Sequence, residues 1–159
     1  MNDDRFAAAA DVLASLAGTW RGGGTVSTPS MEPRDYEEVV VFTLRKPGIL
    51  EYWQRSSDAA DGSILHGEAG VWRVTADGVL EIAVAIAGAA EISEGTMTAE
   101  RIDTETTGVL RASTSMRFAG LARHYALQGD AIEYEMELAT VAYELTGHLR
   151  GRLRREPSG

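Results

Sequence analysis

The chain has 159 residues, of which 44% are hydrophobic and 25% charged, and its net charge is −9. This length fits a single domain, 1–159, that is large enough to bury a core. The absence of cysteine excludes disulfides, zinc–thiolate sites and cysteine nucleophiles. The negative charge argues against nucleic acid as a partner, because a phosphate backbone would be repelled. No apolar run is long enough to span a bilayer and the N-terminus is acidic, so we expect no membrane association and a cytoplasmic location.

The first segment, DDRFAAAADVLASLAGTW, predicts a short helix. Alanine dominates it, and its apolar residues recur at helical spacing. Asp3 or Asp4 is the candidate N-cap, and Gly18 is the candidate C′ residue that ends the helix. Trp20, just beyond it, is expected to fill one end of the fold.

After Gly18, short segments rich in β-branched and aromatic residues alternate with turn signals. Strands are predicted at 19–26, 36–44, 49–56, 64–75, 79–86, 90–98, 101–104, 108–117, 121–128, 131–138 and 145–154. About ten strands joined by hairpin-length turns predict an all-β fold, a ten-stranded antiparallel up-and-down β-barrel with a short N-terminal helix. A barrel of this size can hold a ligand.

The residues alone offer few catalytic patterns. No nucleophile elbow, Walker loop or HExxH motif is present. His66 and Glu68 share one face of a strand. They could form a hydrogen-bonded pair, or they could lie at a solvated end of the barrel. The three histidines could bind zinc only if the fold brought them together. Two acidic pairs are predicted to be exposed: Glu37–Glu38 and Asp58–Asp61.

Several motifs, in order, resemble those of the nitrobindin family. GTWRGGG (18–24) matches the family's G-x-W-x-G-x-G motif in full. GILEYWQR, LHGEAGVWRV and ARHYALQGDAIEYEMEL are similar to the family's later strands, and ATVAYELTGHLRGRLRR (139–155) is similar to its closing LTxHL segment. The resemblance covers about residues 16 to 155, nearly the whole chain.

The resemblance implies a haem b site at the mouth of the barrel. His148 of the LTxHL motif would be the proximal iron ligand. Thr28, Pro29, Ser30 and Met31 would form the loop that faces the other side of the iron, and His66 would line the cavity without binding iron. No further residue is implied to be catalytic, because the haem supplies the chemistry.

The function that the resemblance implies is that of a haem-dependent isomerase. Ferric haem of this family isomerises peroxynitrite to nitrate, and ferrous haem binds nitric oxide, so both are the expected small-molecule partners. A homodimer is left open. The alternatives are a non-catalytic carrier of a fatty acid or another apolar ligand in the same barrel, and an interaction module with a filled interior.

The chain departs from the family pattern on both sides of the site. Thr28 stands where tyrosine is usual, with Ser30 and Met31 in place of threonine and isoleucine. Ala142 and Glu144 replace a glycine and a proline just before LTGHL.

The last strand raises a question of orientation. Leu145, Leu149 and Leu153 share a strand face that excludes His148. A β-bulge or the rim of the barrel would reconcile the two, and a short terminal helix is a weaker alternative. The arginines of RGRLRR (150–155) are those of a solvated terminal strand or, as a weaker alternative, a contact for RNA or an anionic membrane. The resemblance implies instead that they are rim charges for haem propionates.

Overall fold

The computed structural model describes residues 2–115 and 117–157, which form one helix and a closed barrel. The elements are α1 (Asn2–Ser15), β1 (Gly18–Thr28), β2 (Met31–Lys46), β3 (Ile49–Asp58), β4 (Ile64–Val74), β5 (Leu80–Ile86), β6 (Ala89–Met97), β7 (Arg101–Arg111), β8 (Phe118–Gln128), β9 (Ala131–Thr140) and β10 (Tyr143–Arg155). Each strand pairs antiparallel with the next, and β1 pairs with β10. The predicted ten-stranded up-and-down barrel is confirmed. Among the described residues, no helix has the length and apolar character that a membrane span requires.

Helix α1 covers one end of the barrel, which we call the closed end. Leu13 and Leu16 are buried there, and Trp20 is only 1% exposed. The indole Nε1 of Trp20 donates a hydrogen bond to the Leu16 carbonyl at 2.8 Å. Arg155 lies over the Trp20 ring at 4.2 Å. Trp20 therefore fills the closed end as predicted, and it ties the helix to the first strand.

The predicted ends of the helix are wrong by a few residues. Because α1 begins at Asn2, Asp3 and Asp4 lie in its first turn and not at the N-cap. The acidic side chain of Asp4 in that turn favours the helix through its macrodipole. The helix ends at Ser15, so Gly18 is not its C′ residue. Gly18 instead begins β1 with a φ of 132°, a conformation that suits glycine.

The seam between β1 and β10 explains the glycines of the GTWRGGG motif. A Cβ atom on Gly22 would lie 1.8 Å from the Arg152 carbonyl oxygen, and one on Gly24 would lie 1.9 Å from the Arg150 carbonyl oxygen. Both distances are far inside van der Waals contact. Only glycine allows the first and last strands to approach this closely and close the barrel.

The predicted division of residues 101–117 into two strands is wrong. β7 runs without interruption from Arg101 to Arg111. Ile92 pairs with Gly108 and Ser93 pairs with Thr106, so Thr107 is an extra residue in β7. The TTG turn signal therefore marks a β-bulge, where glycine is also favoured. The predicted strand 108–117 includes Met116, which lies outside the described residues, and β8 begins only at Phe118.

The seam predicts a sharp difference between two glycine-to-alanine substitutions. Gly24→Ala should lower the free energy of unfolding by about 2–4 kcal/mol, because β1 and β10 must separate to admit the methyl group. Gly108→Ala is the matched control, since a Cβ atom there has no neighbour within 4 Å. Urea unfolding of both variants measures the difference. Equal stability of the two variants would contradict this account of the seam.

Candidate functional site

The end of the barrel opposite α1, the mouth, carries the residues predicted for the loop over the iron. Pro29 and Ser30 form the turn between β1 and β2, and Thr28 and Met31 flank it. The hydroxyls of Thr28 and Ser30 lie 3.3 Å apart, and the Met31 side chain is exposed. The four residues are therefore together at the mouth.

His148 lies on a β-bulge of the last strand. Gly147 pairs with Glu137 and Leu149 pairs with Met136, so His148 is an extra residue without a partner in β9. Before the bulge, the even-numbered Thr146 faces the interior of the barrel. After it, the odd-numbered Leu149 does. The bulge at His148 therefore changes which alternate residues of β10 face inward. The predicted conflict between His148 and the leucines is resolved by a bulge, and the terminal helix is excluded because β10 continues to Arg155.

The His148 ring is held in one tautomer. Its Nδ1 lies 2.8 Å from the Ser27 carbonyl oxygen, which can only accept, so Nδ1 carries the hydrogen. Nε2 then keeps its lone pair. Burial lowers the pKa of His148, which favours the neutral imidazole. A neutral imidazole that donates its other N–H to a backbone carbonyl is the usual form of a metal-ligating histidine, so His148 fits a haem iron.

His66 lies across the mouth from His148, near enough for a charge on His66 to lower the pKa of His148. His66 Nε2 lies 3.2 Å from Glu68 Oε2, and the Tyr52 hydroxyl donates to Glu68 Oε1 at 2.5 Å. Burial raises the pKa of Glu68, but the hydrogen bond to His66 and the Arg123 charge outweigh it and lower the pKa. His66 therefore lies at the mouth and is hydrogen-bonded to Glu68.

A belt of buried polar side chains lies below the mouth. Glu38 accepts hydrogen bonds from the Tyr134 hydroxyl and, at 3.0 Å, from Gln54 Nε2. The hydroxyls of Tyr134 and Tyr36 lie 2.5 Å apart. The prediction that Glu38 is exposed is wrong: its position in β2 points inward, and burial raises its pKa.

The belt also contains an ion pair that the sequence did not reveal. The guanidinium of Arg123, 2% exposed, binds both carboxylate oxygens of Glu91 at 2.6 and 2.8 Å. Ser93 and Thr106 donate further hydrogen bonds to Glu91. Because both charges are buried, each depends on the other for compensation. The alternation of Glu91 and Ser93 in β6 was the only sequence pattern that could have indicated polar side chains in the interior.

Aromatic side chains fill the interior between the belt and the closed end. Their ring centroids lie 5.2–6.0 Å apart, and the members are Phe42, Tyr52, Trp72, Tyr125 and Tyr134. The void among them has a volume of about 20 Å³. This is room for one water molecule and not for a haem or an acyl chain. The space among these aromatic side chains therefore does not accommodate a large ligand.

The charged residues at the mouth differ from those predicted. Asp58 is not exposed as expected, because its carboxylate lies 3.3 Å from Arg34 at the mouth and its side chain is only 11% exposed. Arg150 and Arg152 were candidate partners for propionates, but they face outward and pair with Glu135 and Glu133 on β9. Arg34 is the arginine that the fold places at the mouth on an inward-facing position of β2, opposite Val26.

The three histidines do not converge. His124 lies on the outer wall, with Nδ1 at 2.7 Å from Asp103 and Nε2 at 3.5 Å from Glu137. Within residues 2–115 and 117–157, no group of three or more His, Asp or Glu side chains is placed to hold a metal ion. A haem iron differs in this respect, because the porphyrin supplies four ligands and the protein needs to supply only one.

Comparison with known proteins agrees with this geometry. The family described as "THAP4-like, heme-binding beta-barrel domain" matches residues 9–155. The chain is 36% identical over 151 residues to "Peroxynitrite isomerase 2" of Mycobacterium marinum, covering 92% of this chain and 94% of the relative. It is 39% identical over 150 residues to "Peroxynitrite isomerase" of Nocardia farcinica, covering 91% and 89%.

A solved structure of a related protein has the same fold. The crystal structure of Rv2717c from M. tuberculosis superimposes with a TM-score of 0.85 at 32% identity, covering 94% of this chain and 98% of that one. The chain therefore belongs to the nitrobindin family. A phycobiliprotein lyase from Guillardia theta, with a TM-score of 0.62 and 11% identity, shares the fold.

The buried ion pair yields a prediction about stability. Glu91→Gln leaves the Arg123 cation buried without a counter-charge, and the free energy of unfolding should fall by about 3–5 kcal/mol. The double variant Glu91→Gln with Arg123→Met removes both charges and should recover most of that loss. Chemical denaturation followed by tryptophan fluorescence measures both. A double variant that is less stable than Glu91→Gln would contradict mutual compensation.

Proposed function

We propose that the chain binds haem b at the mouth of the barrel with His148 as the proximal iron ligand, and that the ferric haem protein isomerises peroxynitrite to nitrate. The observation that carries the proposal is the state of His148. His148 is the bulged residue of β10, and the Ser27 carbonyl fixes its tautomer, so that Nε2 keeps a lone pair for an iron. The membership of the haem-binding family and the names of the relatives support the same assignment.

The residues of the mouth take distinct roles in this proposal. His148 would hold the haem iron. Arg34, half exposed at the rim, offers a cation to a propionate. The aromatic layer and the polar belt keep the haem from sinking deeper, since the void below them holds one water at most. The carrier of a long acyl chain is disfavoured for the same reason.

The turn of Thr28, Pro29, Ser30 and Met31 and the side chain of His66 would line the space in which the haem protein takes up a small ligand. Haem supplies, when bound, a sixth position that coordinates a small anion or nitric oxide. His66, hydrogen-bonded to Glu68, which in turn accepts from Tyr52, would be a polar side chain beside such an anion. The small side chain of Thr28, where the family has tyrosine, leaves this side more open to solvent.

Haem binding is tested by titrating hemin into the apo-protein. We expect a Soret band for the wild-type chain and for His124→Ala, whose substitution lies on the outer wall. His148→Ala should lose the band or shift it, and weaken haem binding by about 100-fold, because the iron loses its protein ligand. If the spectra of His148→Ala and His124→Ala were the same, the ligand assignment would be wrong.

The reaction is tested by stopped-flow absorbance of peroxynitrite. The ferric haem protein should accelerate its decay and raise the yield of nitrate, whereas the apo-protein should leave the decay unchanged. His66→Ala should keep the Soret band of the wild type and slow the decay by about tenfold, because a polar side chain beside the bound anion is lost. Normal haem binding with no acceleration would reduce the protein to a haem carrier or a nitric oxide binder.

A further inference from the structure

Met31 is an exposed methionine at the mouth of the barrel. It is the first residue of β2, directly after the turn of Pro29 and Ser30, and it is 39% exposed. Two further methionines on the strands, Met97 and Met136, are partly buried and pack against the hydrophobic core. Among the three methionines that the structure describes, Met31 is therefore the one that a dissolved molecule reaches most easily.

A β-bulge in β2 sets the direction of Met31. Val26 pairs with Arg34 and Thr28 pairs with Met31, so two steps along β1 match three steps along β2. Val26 packs against the core, and Thr28 lies on the same face of β1 because side chains alternate along a strand. Residues paired directly across an antiparallel ladder share a face, so Met31 lies on the inward face with Thr28. At the rim this face borders the open mouth, which is why Met31 is both inward and exposed.

A thioether in this place can react directly with the substrate of the proposed function. Peroxynitrous acid has a weak O–O bond, and the sulfur of methionine has a lone pair that attacks the terminal oxygen. An S–O bond forms, the O–O bond breaks, its electron pair leaves with nitrite, and the hydroxyl proton passes to water. The sulfur is oxidised by two electrons and peroxynitrous acid is reduced to nitrite. The two reactants therefore supply every atom and electron of the step.

We propose that Met31 is a modification site, at which peroxynitrous acid converts the thioether to methionine sulfoxide and leaves as nitrite. The inference rests on the proposed function only for its oxidant, and it requires neither haem nor His148. Peroxynitrite then has two fates at the mouth, isomerisation to nitrate by the haem protein and reduction to nitrite at Met31. The second occurs once per chain, until a methionine sulfoxide reductase restores the thioether.

The modification changes the polarity of the mouth. A sulfoxide is polar and accepts hydrogen bonds, whereas a thioether is apolar. The hydroxyls of Thr28 and Ser30, which lie 3.3 Å apart, are donors close to Met31 along the chain and across the strand pair. An apolar cofactor at the mouth loses a favourable contact when this side chain becomes polar. Oxidation of Met31 therefore weakens the binding of haem.

Peptide mass spectrometry of the full chain, treated with a small dose of peroxynitrite before any hemin is added, tests the site. The gain of one oxygen should be at least about fivefold greater at Met31 than at Met97 or Met136, because oxidation follows exposure. The same dose in concentrated urea is the control, and there the three methionines should react alike. If the folded chain were oxidised equally at all three, or least at Met31, the proposal would be overturned.

The fate of the oxidant is tested by the yield of nitrite. Met31→Leu removes the sulfur and keeps an apolar side chain of similar size, and Met97→Leu is the matched control. The wild type and Met97→Leu should form nitrite in proportion to the sulfoxide found at Met31, whereas Met31→Leu should lack this share. Equal yields of nitrite from the two variants would contradict oxygen transfer to Met31.

Hemin titration before and after peroxynitrite treatment tests the effect on the mouth. Treatment should raise the dissociation constant of the wild type and of Met97→Leu by about threefold to tenfold, and a methionine sulfoxide reductase should reverse the change. The treated Met31→Leu should bind hemin as its own untreated form does. An equal loss of affinity in Met31→Leu would overturn the role of Met31. If the untreated chain bound no hemin, the proposed function would fail, while oxidation confined to Met31 would still establish the modification site.

Discussion

The close approach of β1 and β10 is the constraint on which both the barrel and the candidate site depend. Gly22 and Gly24 permit it, because any side chain there would overlap a carbonyl oxygen of β10. The seam ends with Val26 opposite Leu149. This register brings the next carbonyl of β1, that of Ser27, beside the bulged His148. The pairing that closes the barrel therefore also fixes the tautomer and the direction of the proposed iron ligand.

Burying the charges of the polar belt is unfavourable, but the belt forms an ordered layer inside the barrel. Burying Glu91 and Arg123 removes two charges from water, and an apolar pair would often be as stable. Together with Glu38 and Tyr134, however, they form a layer of fixed hydrogen bonds across the barrel. A layer with fixed partners does not repack easily around a ligand. The belt and the aromatic side chains thereby keep this part of the interior filled.

The sequence predicted the features that depend on local pattern and missed those that depend on a neighbouring strand. Alternation and turn signals were sufficient for a ten-stranded barrel, and the closing motif was sufficient to select His148. The bulge at His148 could only be anticipated as one solution, because it is defined by the pairing of Gly147 and Leu149 with β9. At Thr107 the sequence predicted a turn where the structure has a β-bulge, because the neighbouring Gly108 suits a turn and a bulge equally well. Glu91 and Arg123 meet because β6 and β8 flank β7, so that the two inward-facing side chains reach each other over the middle strand.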